Sequence, residues 1–184
     1  YIATNAHVVS AADRLQITFA DGATHEAEVI GRDNLRDLAV IKIEPEKPLK
    51  PIRMGRSDDL IIGEPVLAIG NPVGLQNTLT TGVVSALHRE LNLNGQVMYR
   101  DVVQTDASIN PGNSGGPLLN ILGELIGINT AIRADAQNIG FAIPVDQLRD
   151  FLPEILDPEK LNHVQLGMRV GNGNPARVTF VRED

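Results

Sequence analysis

Three side chains that could act together in nucleophilic catalysis lie far apart along the sequence. Ser114 stands in "NPGNSGGP" (110–117), His7 in "TNAHVV", and Asp37 at the head of "DLAVIKI". A serine hydroxyl is a weak nucleophile at neutral pH and needs an adjacent base, which a third group orients. His7 is therefore the candidate base and Asp37 the candidate orienting acid, with the nearby Asp33 as an alternative for the second role.

The glycines around Ser114 need an explanation, because glycine loses more conformational freedom on folding than any other residue. Either the segment is a plain tight turn, or its backbone N–H groups must approach a ligand. When a serine attacks a carbonyl, negative charge grows on the oxygen, and one N–H donor to that oxygen is worth about 10²–10³ in kcat. We therefore predict an oxyanion hole formed by Gly112, Asn113 and Ser114, with the N–H groups of Gly112 and Ser114 converging on the oxygen.

The composition excludes several other classes of function. The 184 residues carry a net charge of −7, which argues against a nucleic-acid or anionic-membrane surface. The chain has no cysteine, and its four histidines lack the i, i+4 spacing of a metal site, so no metal or other cofactor is predicted. No apolar stretch approaches the roughly 20 residues of a membrane span.

The apolar segments are short, β-branched and bounded by turn residues, which is typical of an all-β sandwich or barrel. "LQITF" and "HEAEVI" flank Asp21-Gly22 and predict a hairpin, and "PLLN" with "ELIGINTAI" predicts another. Helical spacing is convincing only in 144–156, where Pro144 suits a helix start. There, one face would carry Leu148, Phe151, Leu152 and Ile155.

The candidate residues occur in the order His, Asp, Ser, which is the order of the chymotrypsin class of serine proteases. This order predicts one barrel before the serine, at about 1–48, and a second barrel around the serine, at about 60–143. The three side chains would then meet between the barrels. "GNSGG" also fits the G-x-S-x-G elbow of α/β-hydrolases, but that fold needs a helix directly after the serine, whereas Pro117 and a strand pattern follow here.

The sequence resembles the HtrA/Deg family of chymotrypsin-fold serine proteases over about residues 1–156. The resemblance is carried by "TNAHVV", "RDLAVIKI", "GNPVGL", "TDASINPGNSGGPLLN" and "NIGFAIP". It implies an all-β, double six-stranded β-barrel, a C-terminal helix at about 144–156, and a linker with the start of a PDZ-like domain at 157–184. Because only Tyr1 to Ala6 precede His7, we expect the first barrel to be incomplete.

The same resemblance implies an ATP-independent endopeptidase that cleaves unfolded or misfolded proteins outside the cytoplasm, in the periplasm or anchored to a membrane facing it. A homotrimer or higher assembly is expected, with a PDZ domain in the full-length protein that binds peptide C-termini. The alternative is a chaperone-like module of the same fold that binds peptides without cleaving them. An intact His-Asp-Ser set favours the enzyme, because a binding module has no need of it.

Specificity and regulation are also suggested by the resemblance. Ser108 stands where trypsin-like chains carry a pocket aspartate, so cleavage after small aliphatic residues such as Val or Ala is expected. Two loops, 88–101 and 131–138, would be sensor and activation loops. The segment expected to pair with the substrate backbone by strand addition, and to line a small apolar pocket, consists of Ile139, Gly140, Phe141 and Ala142.

Overall fold

The computed structural model describes residues 1–10, 14–71, 78–93, 96–130, 138–156, 168–171 and 177–181. Strands dominate these ranges, and the two helices found there are α1 (Ala6–Val9) and α2 (Val145–Ile155). The strands are β1 (Ile2–Thr4), β2 (Leu15–Thr18), β3 (Thr24–Asp33), β4 (Leu38–Ile43), β5 (Pro65–Gly70), β6 (Thr78–Leu93), β7 (Gln96–Thr105), β8 (Pro117–Asn120), β9 (Leu125–Thr130), β10 (Gly140–Pro144), β11 (Met168–Gly171) and β12 (Arg177–Val181). Several predicted segments lie partly outside the described residues: most of "GNPVGL", residues 131–137 of the predicted activation loop at 131–138, and residues 157–167, 172–176 and 182–184 of the predicted linker and PDZ start.

The N-terminal part of the chain forms an open antiparallel sheet. In the described residues its strand order is β1-β4-β3-β2. The predicted hairpin at Asp21-Gly22 is confirmed, since β2 pairs with β3 and the Phe19 N–H donates to Ala23 O at 2.8 Å. This open sheet is the incomplete first barrel that the sequence predicts.

The second set of strands closes on itself. Over the described residues the order is β10-β7-β6-β5-β8-β9, and the ring closes because β10 pairs with β7 on one side and with β9 on the other. The predicted β8–β9 hairpin is confirmed. The all-β class, with one closed barrel of six strands and one incomplete barrel, is therefore the observed fold. Strands β11 and β12 pair with each other as an antiparallel hairpin.

Helix α2 confirms the helical pattern, with one correction at its start. Leu148 and Phe151 are buried, and Leu152 and Ile155 pack against the same core. Pro144 is not the first helical residue, because its ψ of 141° is extended and it pairs with Gly127 as the end of β10. The helix begins one residue later, at the point where the chain leaves the barrel.

One hydrophobic core joins the open sheet, the barrel and α2. Leu38 and Val40 of β4 belong to the same buried cluster as Ile128 of β9 and Phe151 of α2. The start of β4 is thereby held against the barrel, and the residue just before it is Asp37. In the described part of the chain, no helix is both long and apolar enough to cross a membrane.

Candidate active site

His7 and Asp37 are in direct contact. His7 lies on α1, and its Nδ1 is 2.7 Å from Asp37 Oδ2, while the His7 backbone N–H donates to Asp37 Oδ1 at 2.9 Å. The His7 side chain is 47% exposed and the Asp37 side chain 5%. A buried carboxylate thus orients the imidazole through Nδ1, and Nε2 is the ring nitrogen that faces away from this carboxylate.

The backbone of Asp37 adopts an unusual conformation. Its φ is +56°, in the left-handed region that costs most residues about 1–2 kcal/mol but that Asp and Asn tolerate. The Asp37 carbonyl oxygen accepts hydrogen bonds from the Ala6 N–H and from Asn5 Nδ2, each at 3.1 Å. These bonds tie the turn before β4 to the segment before His7, so the backbone holds the pair together from both sides.

Asp33, the alternative acid, is engaged elsewhere. Its Oδ1 accepts the N–H groups of Leu35 at 2.8 Å and Arg36 at 3.1 Å, and its Oδ2 pairs with the Arg36 guanidinium at 2.6 Å. Burial acts to raise the pKa of Asp33, but these bonds and the Arg36 charge hold it below its ordinary value. Asp33 therefore stabilises the turn that presents Asp37, and Asp37 is the carboxylate in contact with His7.

The loop that carries Ser114 is fixed to β9 and lies against the open sheet. The Gly115 N–H donates to Asn129 O at 2.9 Å, and the Asn129 N–H donates to Gly116 O at 2.8 Å. Gly115 has a φ of +81°, and a Cβ there would lie 2.2 Å from Thr4 Oγ1 and 3.3 Å from Asn5 N. Only glycine permits this approach, which brings the residue after Ser114 against the strand that leads to His7.

The three predicted oxyanion residues are consecutive in a turn, and they are engaged differently. The Asn113 N–H donates to Asn110 O at 2.9 Å, so this amide is already used inside the loop. The Asn113 side chain is buried and donates to Ser108 O at 3.0 Å. Gly112 has a φ of +106°. Asn113 therefore supports the turn that carries Gly112 and Ser114, the two residues whose N–H groups the sequence predicts as the donors.

The predicted substrate segment is only in part available to a peptide. Phe141 pairs with Thr130 of β9 and with Gln104 of β7, and Ala142 is likewise paired on both sides. Strand addition at these residues is therefore excluded, which corrects the expected mode of binding. Ile139 lies before the strand and is 40% exposed. A Cβ at Gly140 would lie 2.5 Å from Ile109 Cγ1, so Gly140 and Ile109 form an apolar contact beside the Ser114 loop.

Two residues at the site were missed by the sequence interpretation. The Tyr99 hydroxyl donates to Asp37 Oδ2 at 3.0 Å, and Thr130 Oγ1 lies 3.5 Å from the same oxygen. Burial, the negative charge of Asp37 and the hydrogen bond to it raise the pKa of Tyr99 to about 12. No local motif marks either residue, and the rarity of tyrosine in this chain is the single signal that could have drawn attention to Tyr99.

A second histidine–aspartate pair lies within the predicted sensor loop. His88 Nδ1 is 2.5 Å from Asp101 Oδ1, and these side chains are 80% and 54% exposed. Both residues have positive φ, at +55° and +57°. This pair is far more exposed than His7 and Asp37. Throughout the described ranges, no group of three or more His, Asp or Glu side chains is arranged to hold a metal ion.

Comparison with known proteins identifies the family. Residues 1–128 match the family described as "Trypsin-like peptidase domain". The chain is 48% identical over 172 residues to a Buchnera aphidicola protein named "Probable periplasmic serine endoprotease DegP-like", and 45% identical over 170 residues to the serine protease PepD of Mycobacterium tuberculosis. A solved structure entitled "HtrA-type protease AlgW with decapeptide" superposes with a TM-score of 0.77 at 42% identity, covering 92% of this chain and 52% of that one. The chain belongs to the trypsin-like peptidase family, among its HtrA/Deg serine proteases.

The chain spans less than half the length of the curated relatives it matches. The match to the Buchnera protein takes in 91% of this chain but 36% of that relative, and the match to PepD takes in 85% of this chain but 37% of that relative. The residues of this chain that match the family, 1–128, include His7, Asp37 and Ser114.

Proposed function

We propose that this chain is the catalytic part of an endopeptidase that hydrolyses protein substrates with His7, Asp37 and Ser114. The observation that carries the proposal is the contact between His7 Nδ1 and Asp37 Oδ2 at 2.7 Å, beside a serine loop that packs against the same segment through Gly115. A buried carboxylate behind a half-exposed imidazole is the arrangement that a serine nucleophile needs.

The proposed reaction proceeds through an acyl-enzyme. Ser114 Oγ attacks the carbonyl carbon of the scissile bond, and its proton passes to Nε2 of His7. The tetrahedral intermediate collapses as His7 returns that proton to the leaving amine, which leaves an ester on Ser114. Water, deprotonated by His7, then attacks the ester carbonyl; the bond from the acyl carbon to Oγ breaks, the carboxylic acid product leaves, and His7 returns the proton to Ser114 Oγ. Asp37 remains ionised throughout and stabilises the imidazolium.

We assign the oxyanion hole to the N–H groups of Gly112 and Ser114. The assignment is supported by the bond from the Asn113 N–H to Asn110 O, which closes the turn that contains Gly112 and ends next to Ser114. Donors fixed before the reaction stabilise the developing charge without reorganisation.

We further propose that the residue before the cleaved bond is small and aliphatic. Support comes from the apolar contact of Ile109 with Gly140 and from a serine, Ser108, where a cationic substrate would need an acid. Peptides that differ only in Val, Ala, Arg or Lys at this position test the assignment. Higher kcat/KM for Arg or Lys would contradict it.

The wider role also remains a proposal. ATP-independent cleavage of unfolded proteins, a location outside the cytoplasm and a homotrimer are inferred from the resemblance, and the name of the Buchnera relative contains the word "periplasmic". A PDZ domain that binds peptide C-termini belongs to the same inference, with β11 and β12 as its first strands.

Casein digestion with Ser114→Ala tests the proposed chemistry. Removal of the nucleophile is expected to lower kcat by about 10⁶. Ser85→Ala, which deletes a hydroxyl on β6 of the barrel, is the matched control and is expected to digest casein like the wild type. Equal digestion by wild type and Ser114→Ala would refute the proposal. Binding of unfolded casein without any cleavage would favour the non-cleaving module instead.

A further inference from the structure

The Asp37 carboxylate receives hydrogen bonds from both halves of the molecule. Its Oδ2 contacts His7 Nδ1 at 2.7 Å from the open sheet, and the Tyr99 hydroxyl at 3.0 Å and Thr130 Oγ1 at 3.5 Å from the barrel. A distance of 3.5 Å is at the edge of a hydrogen bond, so Tyr99 is the stronger barrel donor. The phenol therefore reaches across from β7 to the same oxygen that orients the imidazole.

Apart from its contact with Asp37, Tyr99 borders a cavity. Its ring lines a cavity of about 260 Å³ between the turn before Asp37, β7 and α2, together with Leu35, Met98 and Gln147. The charged groups at this cavity are Arg36, Arg100 and Asp101. Arg36 pairs with Asp33 and Arg100 with Glu90, while Oδ1 of Asp101 lies 2.5 Å from Nδ1 of His88.

We propose that Tyr99 is a positioning residue for Asp37. The inference rests on the proposed function, because it assigns Tyr99 a role in the reaction of His7 and Ser114. The terminal torsion of an aspartate is broad, and both bonds from the side of the open sheet, the His7 N–H to Oδ1 and His7 Nδ1 to Oδ2, come from one residue that moves together with the carboxylate. Donors from two elements fix its plane, and the fixed plane holds the imidazole in the orientation in which Nε2 serves as base. The phenol also withdraws part of the negative charge from Oδ2.

The phenol is suited to this role because it remains a donor. A tyrosine that ionised near the working pH would place a second negative charge against Asp37. With its pKa raised to about 12 by burial and by Asp37, Tyr99 keeps its proton throughout the neutral range.

Tyr99→Phe tests the proposal, since it deletes the hydroxyl and keeps the ring in the core. We expect kcat to fall about tenfold, which corresponds to about 1.4 kcal/mol in the barrier, with KM unchanged. The acid limb of the kcat/KM profile is expected to shift to higher pH, because the undiminished charge of Asp37 favours the protonated imidazole. Tyr1→Phe, which removes an exposed phenol, is the matched control and is expected to change neither quantity.

Two outcomes would overturn the proposal while wild type remains active and Ser114→Ala inactive. One is wild-type kcat and pH profile in Tyr99→Phe. The other is a lower kcat that follows a loss of thermal stability with no movement of the pH profile, since that pattern indicates packing alone. Absence of serine-dependent activity in the wild type would instead refute the proposed function.

A spectroscopic measurement tests the contact between Tyr99 and Asp37 independently of the proposed enzymatic activity. In the Tyr1→Phe chain, Tyr99 is the sole tyrosine of this sequence, so a ¹³Cζ-tyrosine label reports it alone. Asp37→Asn is expected to shift this resonance at neutral pH because it changes the acceptor of the phenol, and Asp33→Asn is expected to leave it in place. An unchanged resonance in Asp37→Asn would overturn the proposed contact, whatever the activity.

Discussion

The positive φ of the Asp37 backbone and the hydrogen bonds that Asp37 makes depend on each other. A left-handed backbone turns its carbonyl oxygen towards Asn5 and Ala6 and its carboxylate towards His7. Asparagine and aspartate are the non-glycine residues that adopt this conformation most readily, and of these only aspartate carries the charge. Backbone and side-chain requirements therefore select the same residue.

Replacing Asp37 with Asn is expected to lower kcat by about 10⁴, the scale seen when the aspartate of a serine protease triad becomes an amide. An amide that turns its NH₂ to His7 leaves the proton on the wrong ring nitrogen. The change is measured as kcat and KM on a peptide substrate, with circular dichroism to verify folding. Asp33→Asn is the control, because Asp33 bonds only its own turn in the contacts described here. Comparable losses in both variants would contradict the assignment.

The sequence could predict the pairing of His7 with Asp37 because the pairing follows from the residue types and from their order along the chain. It could not predict Tyr99, because the direction of that side chain depends on the register of β6 with β7. This pairing contains shifts between Val84 and Ala86, Ala86 and Arg89, Arg89 and Leu91, and Leu91 and Asn92. Each bulge changes which face later residues occupy, so an alternating pattern cannot be counted through them.

At the scale of elements, α2 is anchored through Asp146. The helix has no side-chain cap at Pro144. Instead, Asp146 Oδ2 accepts the Ser57 hydroxyl at 2.7 Å, the Ser57 N–H at 2.8 Å and the Asp58 N–H at 3.0 Å. A negative charge in the first helical turn also interacts favourably with the helix dipole. The connector between the sheet and the barrel is thus fastened to the start of the helix.

Asp146→Asn is expected to lower the free energy of unfolding by about 1.5 kcal/mol at neutral pH, because hydrogen bonds to a charged acceptor become neutral ones. Burial raises the pKa of Asp146, but the Ser57 bonds and the Arg149 charge hold it below its ordinary value of 3.8. A depressed pKa stabilises the fold above 3.8, and this contribution is lost as pH falls through the folded-state pKa.

Urea denaturation at neutral and at acid pH measures this effect. The difference between wild type and Asp146→Asn is expected to shrink as the pH falls below 3.8. Asp150→Asn, an exposed carboxylate one turn later on the same helix, is the control and is expected to have little effect at either pH. A difference that stays constant with pH would mean that charge is not the cause.

Helices and strands with a clear apolar periodicity could be predicted from the sequence, whereas the elements that pair or pack beside them could not. The apolar spacing of α2 is visible because Leu148 and Phe151 share one face of a helix. Whether β10 has a free edge depends on the closure of the barrel by β7 and β9, which no local pattern encodes. The expected strand addition at Phe141 and Ala142 was wrong for this reason.

For the whole molecule, the proposed site lies where separate parts of the chain are packed together. His7 lies on α1 and Asp37 directly before β4, both next to strands of the open sheet, whereas the Ser114 loop precedes β8 of the barrel. The core cluster that contains Leu38, Ile128 and Phe151 fixes one part against the other. A reaction geometry that depends on both parts therefore requires this core to be intact.

Phe151→Ala is expected to lower the free energy of unfolding by about 3–5 kcal/mol, the cost of truncating a buried aromatic side chain. Because Phe151 shares its cluster with Leu38 and Val40 of the sheet and Ile128 of the barrel, both parts should unfold in one transition. Urea denaturation followed by circular dichroism and by tyrosine fluorescence checks this, with Leu122→Ala, at a position 75% exposed, as the control. Two separate transitions would show that sheet and barrel are stable independently, and the alignment of His7 with Ser114 would then need contacts other than this core.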